Sequence, residues 1–161
     1  MANYTGADVI TTSDVLKYQP DAFDFGISTT ATETTNFLAQ TTNDILRNLR
    51  IEWWPVYKQN VFTDITVLNT AEMVNTKVNL DQFERAGVYL FLGRFYLPAL
   101  TKFRPETEKD RFERMAEYYM AQYNMEWRMI LEDGVEYYTD ADGSIVTNER
   151  EPLHGFRRLT R

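Results

Sequence analysis

The stretch RPETEKDRFERMAEYYMAQYNMEWRMILEDG, residues 104–134, constrains the fold most, because it reads as helix from end to end. Phe112, Met115, Ala116, Tyr119, Tyr123, Trp127 and Ile130 recur every three or four residues, which lays them along one side of an α-helix. Pro105 suits the first helical position, Glu106 and Glu108 favour the positive end of the helix dipole, and Gly134 closes the run. A helix of about two dozen residues is roughly 36 Å long and well above the usual length, so the other elements must pack along a rod. The expected fold is mainly α: a small helical bundle with one long helix in the C-terminal half.

Two more helices are readable upstream. TATE is a capping box, with Thr30 as N-cap and Glu33 reaching back. It opens a helix in which Phe37, Leu38, Ile45, Leu49 and Trp53 share a face until Pro55 stops it. NLDQFERAGVYLFLGRFYL restarts helical spacing, with Asn79 as N-cap and Gln82 at the third position. Phe83, Ala86, Leu90 and Leu97 fall on one side of it and Val88, Leu92 and Phe95 on another. A helix apolar nearly all round is central or is covered by a neighbouring subunit. Residues 1–30, rich in Thr, Ser and Asp, hold one short helical candidate, Thr11 to Tyr18, closed by Pro20. They are expected to form a docked N-terminal arm. Residues 55–79 are expected as an extended insertion or loop, since VFTDITVLN fits a strand, a short helix or an extended segment.

Composition narrows the class. With 43% hydrophobic and 14% aromatic residues in 161, the chain can bury a core without disulfides or metal, and residues 1–151 are expected to form one helical domain. The absence of cysteine excludes disulfide staples, thiolate zinc sites and a cysteine nucleophile, and fits a reducing compartment. MANYTGADVITTSD lacks the basic and apolar character of a secretion leader, so synthesis in the cytoplasm is expected. The longest apolar run, Ala86 to Leu100, is broken by Arg94 and is shorter than the roughly 20 residues of a spanning helix, so no membrane partner is expected. A net charge of −7 opposes general binding to duplex phosphate. So many large apolar residues on a few long elements leave aromatic surface over once a small core is filled, and a self-associating protein would use it.

Past the long helix, YYTDADGSIVTNERE resembles a calcium-binding loop. Aligned on Gly143, it places Asp140, Asp142 and Glu149 at ligand positions, but the first position, which should carry an anchoring carboxylate, is Tyr138. VEYYT also alternates as a strand does. The favoured reading is a short β-hairpin over residues 135–148, with VEYYT and SIVT as strands and DADG as the turn, and no metal. The alternative is a calcium-responsive binding module using Asp140, Asp142 and Glu149.

Catalysis finds little support. The single histidine, His154, sits between Pro152 and Gly155, where nothing rigid would orient a base. No Gly-rich phosphate loop, G-x-S-x-G elbow or H-E-x-x-H occurs, so no enzyme and no cofactor is expected. Charge is distributed unevenly at this end: residues 131–151 hold seven acids against Arg150, whereas residues 152–161 hold Arg157, Arg158 and Arg161 and no acidic side chain. Residues 152–161 are therefore expected to be a basic, extended C-terminal arm, suited to folding on a partner.

Taken in order, the amphipathic helix ending in an aromatic–proline break, the AGVYLFLGRFYL helix, the long helix ending EWRMILEDGVEYYTDADGSI and the Arg-rich tail RRLTR resemble the head–tail connector, or adaptor, proteins of tailed double-stranded DNA bacteriophages. The resemblance covers the chain from about Ser13 and is specific mainly in the last third. It implies a structural virion protein forming a homo-oligomeric ring, usually of twelve subunits. Such a ring docks under the portal, joins it to the next neck or tail protein and surrounds the DNA channel. It also implies that Phe156, Arg157, Arg158, Leu159 and Arg161 form a portal-binding arm, the cations meeting portal carboxylates and the two apolar residues filling pockets. The stretch between Trp54 and Asn79 is longer than the family's compact bundle needs and is expected to be an insertion that contacts a neighbour or the next neck ring.

Overall fold

The computed structural model describes residues 8–101, 110–138 and 150–151. It is mainly helical, as the periodicity predicts. In chain order the helices are α1 (Thr12–Tyr18), α2 (Thr32–Asn48), α3 (Trp54–Val61), α4 (Ile65–Thr70), α5 (Glu84–Leu90), α6 (Leu97–Leu100) and the long α7 (Arg111–Asp133). Two strands, β1 (Val135–Glu136) and β2 (Arg150–Glu151), follow. The described residues pack as two compact units, where the sequence suggests one body. A helical unit comprises residues 8–45, 83–101 and 110–127, and a mixed unit comprises residues 46–82, 128–138 and 150–151.

In the helical unit the N-terminal arm docks as expected. Thr11 and Asp14 form a capping box: the Asp14 carboxylate accepts from the Thr11 N–H at 2.8 Å, and the Thr11 hydroxyl accepts from the Asp14 N–H. Lys17 bridges Asp14 at 2.6 Å and Glu84 at 3.2 Å, tying α1 to α5. Burial raises the Asp14 carboxyl, but its bonds from Lys17 and Thr11 outweigh that and hold it below its ordinary value. Val9, Ile10, Val15 and Ala22 are buried, and the Thr42 hydroxyl accepts from the Val9 N–H at 2.9 Å. The start of α2 lies two residues beyond the predicted cap. Thr30 pairs with Ser28 instead, and the Ala31 carbonyl accepts the first helical bond from Thr35. The predicted start of α7 at Pro105, Glu106 and Glu108 lies outside the described residues. Its end is as read, with Gly134 at φ 101° and its N–H donating to the Ile130 carbonyl.

One expectation fails for an identifiable reason. Pro55 does not stop the helix, which runs on as α3 to Val61. Residues Leu49–Trp53 widen into a π-turn, and the Trp54 N–H reaches back five residues to the Leu49 carbonyl. A proline normally breaks a helix by lacking an N–H and by its ring striking the carbonyl four residues before it. A wider turn upstream relieves both. The same device recurs before Pro98, where Phe91–Tyr96 is π-helical and the Leu97 N–H donates to the Leu92 carbonyl.

In the mixed unit, residues 55–79 correct the expectation of an extended insertion. They comprise the body of α3, the short α4 behind its N-cap Asp64, and a single 3₁₀ turn at Asn75–Lys77. Asp64 decides for the short helix, its carboxylate accepting from the Thr66 N–H at 2.8 Å. Strand β1 pairs antiparallel with β2, Val135 opposite Glu151 and Glu136 opposite Arg150. The observed return strand thus lies beyond the predicted hairpin of 135–148, and the expected partner SIVT lies outside the described residues. On its other side β1 is held by residues 77–79: Tyr137 bridges Val78, the Asn79 N–H donates to the Glu136 carbonyl at 3.0 Å, and the Tyr138 N–H donates to the Lys77 carbonyl at 2.8 Å. Gln82, expected at a helix third position, accepts the Glu136 N–H at 2.7 Å.

Candidate functional site

The predicted arm residues Phe156, Arg157, Arg158, Leu159 and Arg161 lie outside the described residues, as do His154, Asp140, Asp142 and Glu149. Tyr138, at the first position of the calcium template, is buried, and its backbone N–H is used by Lys77. The entry to that stretch is strand β1, where a calcium cage of this type is entered from a helix. Among the described residues no cluster of three His, Asp or Glu side chains could hold a metal ion, and no helix is long and apolar enough to cross a membrane.

What the structure brings together instead is an aromatic cluster in the mixed unit. Trp53 is 1% exposed, with ring centroids 4.6 Å from Tyr57, 5.6 Å from Tyr137 and 5.9 Å from Trp54. Two of its polar tips reach out to hold the chain beyond α4. The Trp54 indole N–H donates to the Ala71 carbonyl at 3.2 Å, and the Tyr137 hydroxyl accepts from the Val74 N–H at 3.1 Å. A shallow groove of about 460 Å³ lies beside this cluster, lined by Arg50, Trp54, Lys58, Ala71, Glu72 and Met73.

Beyond α4 the segment so held buries Met73, but α4 itself buries nothing. None of the α4 side chains is buried, with Ile65 72% and Val67 43% exposed, and Val61 and Val74 are exposed on either side of it. A second apolar surface runs along α7, where Tyr118, Met125 and Met129 are 59%, 59% and 53% exposed. Their spacing of seven and four residues puts them in one line, about 180° around the helix from buried Ala116, Tyr123 and Trp127. Tyr119, Tyr123 and Trp127 are core residues, as their period predicts. The α7 line was not read from the sequence, which marked only the buried face of that helix. Nor was the α4 patch, because only exposure separates Ile65 and Val67 from ordinary strand or core residues.

Three phenols in the two units are titrationally informative. Burial lifts Tyr96, Tyr119 and Tyr137 above the ordinary tyrosine value, although the bonds of Tyr96 to the Ile27 carbonyl and of Tyr137 to Val74 pull the other way. Since the unfolded chain loses these protons first as pH rises, their contribution is complete below the unfolded value and is lost as pH climbs through the folded ones. Thermal melts are expected to be flat to about pH 9.5 and to fall steeply above about pH 10. Tyr119→Phe should flatten that alkaline limb; an unchanged limb would show that these phenols do not set it.

Compared with family models, with curated proteins and with solved structures, the chain finds no match.

Proposed function

We propose that the chain is a structural, non-enzymatic subunit of a bacteriophage neck. In this reading it forms a ring, usually of twelve copies, that docks on the portal, connects it to the next neck or tail protein and surrounds the DNA channel. It is made in the host cytoplasm and works in the virion, with no cofactor and no metal. The observation that carries the reading is the pair of apolar surfaces on α4 and α7, left uncovered although buried side chains already fill the core of each unit. Surfaces of that kind mark sites of association, and a structural ring needs two per subunit. The order of helices that resembles the phage adaptors supports the class. A net charge of −7 suits a channel in which duplex DNA slides without sequence-specific binding, because a basic lining would hold the phosphates.

The test uses the full chain and its portal. The mixture is expected to cofractionate as a ring on the portal, and deletion of residues 155–161 is expected to abolish that docking while leaving the far-ultraviolet helical signal intact. Unchanged docking of the shortened chain would sink the assignment of Phe156, Arg157, Arg158, Leu159 and Arg161 to the portal.

A further inference from the structure

We infer that neighbouring copies meet through two different surfaces: the α4 segment of one seats against the outward line of α7 on the next. This deepens the ring reading and rests on it.

Three observations lead there. The first is the cost of keeping α4 where it is. A six-residue helix has little stability of its own, and a helix in a protein is normally held by burying an apolar face. Here α4 is held at its flanks, by the Asp64 cap before it and by buried Met73 and the Trp54–Ala71 and Tyr137–Val74 hydrogen bonds after it. Ile65 and Val67 are thereby presented to whatever lies beyond the chain. The second is that α7 is apolar on two opposite sides, one filled by its own chain and the other, with Tyr118 and Met125, left open. The third is charge. Residues 59–76 contain Asp64 and Glu72, both exposed, and no lysine or arginine. The first turns of α7 carry exposed Arg111 and Arg114, which at helical spacing flank the line through Tyr118.

These surfaces suit each other better than themselves. Two α4 segments face to face would bring like charges together, which opposes pairing. Two α7 lines face to face would satisfy each other's apolar residues but leave α4 uncovered. A single contact between α4 and α7 covers both apolar patches and sets acids against arginines. A contact between two different surfaces also repeats from copy to copy, and it closes into a ring when the rotation permits.

The chain has no native cysteine, so introduced thiols report without background. The full chain is prepared as V67C, as M125C and as the double variant V67C/M125C, and treated with a short bismaleimide under conditions where the unmodified protein assembles. The expected result is a ladder of covalent multimers from the double variant and none from either single variant. Dimers from M125C alone would show two-fold α7 pairing and overturn the inference. Assembled rings with no ladder from the double variant would also overturn it, while leaving the ring reading standing. Failure of the unmodified chain to assemble, alone or on the portal, would overturn the ring reading and the inference together. An independent arm uses charge: E72R and R114E should each weaken self-association about tenfold, and the double exchange should restore most of it. Additive losses in the double exchange would count against the contact.

Discussion

Gly93→Ala is expected to destabilise the helical unit more than Gly87→Ala, six residues away on the same apolar helix. The difference lies in what a Cβ would strike. At Gly93 it would sit 2.9 Å from the Met120 backbone nitrogen, 2.9 Å from Met120 Cγ and 3.1 Å from the Ala116 carbonyl oxygen. The backbone of α7 has no way to retreat without carrying its neighbours with it. At Gly87 the nearest atoms are the Ile10 Cγ2 at 2.9 Å and the Val9 Cγ1 at 3.1 Å, branch methyls of two buried side chains with no backbone atom among them, so the clash there is real but smaller. Overpacking at Gly93 should cost about 3 kcal/mol, against about 1 kcal/mol gained from replacing a helical glycine, leaving a net loss of about 2 kcal/mol. For a chain of this size that lowers Tm by roughly 6 °C. The check is a pair of thermal melts, with Gly93→Ala/Met120→Ala as the control. Removing the Met120 side chain leaves both backbone contacts in place, so the double variant should not recover. Equal Tm values for Gly93→Ala and Gly87→Ala would refute the close approach of the two helices.

This contrast also shows where the sequence was readable. Side-chain period located α7 and its buried face, because Ala116, Tyr119, Tyr123, Trp127 and Ile130 each report burial through spacing alone. It also placed Leu38, Ile45, Leu49 and Trp53 in the core. Period says nothing about how many carbonyls a turn skips, so Pro55 read as a stop although the π-turn at Leu49–Trp53 carries the helix through it. Nor does period distinguish an apolar residue that is buried from one that is displayed. Around Ile65 and Val67 a strand, a short helix and an extended segment therefore stayed open, and the cap supplied by Asp64, visible in the sequence, was the available clue to a helix. Pairing of β1 depends on register, which hydrophobic alternation over two residues is too short to specify. Val135 and Glu136 pair antiparallel with Arg150 and Glu151, whereas the expected DADG turn and SIVT partner lie outside the described residues.

Trp53→Ala should have the largest effect of any single substitution in the mixed unit. Its ring is almost wholly buried and touches Trp54, Tyr57 and Tyr137, so truncation empties the middle of the aromatic cluster. Loss of a buried tryptophan costs about 3 to 5 kcal/mol, a large part of the roughly 5 to 15 kcal/mol that separates folded from unfolded chains. The consequence reaches the α4 surface by a short route. Trp54 and Tyr137 are the residues whose indole and phenol hold Ala71 and Val74, and both pack on Trp53. Once the ring is gone those two anchors lose their backing, and Ile65 and Val67 are no longer held in place. Trp53→Ala is therefore expected to lower urea resistance and, on the proposed ring reading, to abolish assembly together, with loss of the near-ultraviolet tryptophan signal. Trp54→Phe removes the bond to the Ala71 carbonyl and part of a buried ring, and keeps a smaller aromatic ring in the cluster. It should weaken assembly of the proposed ring while costing less stability than Trp53→Ala. If Trp53→Ala keeps the wild-type urea midpoint, the cluster is not the core of the mixed unit; if Trp54→Phe assembles normally, α4 does not depend on that anchor.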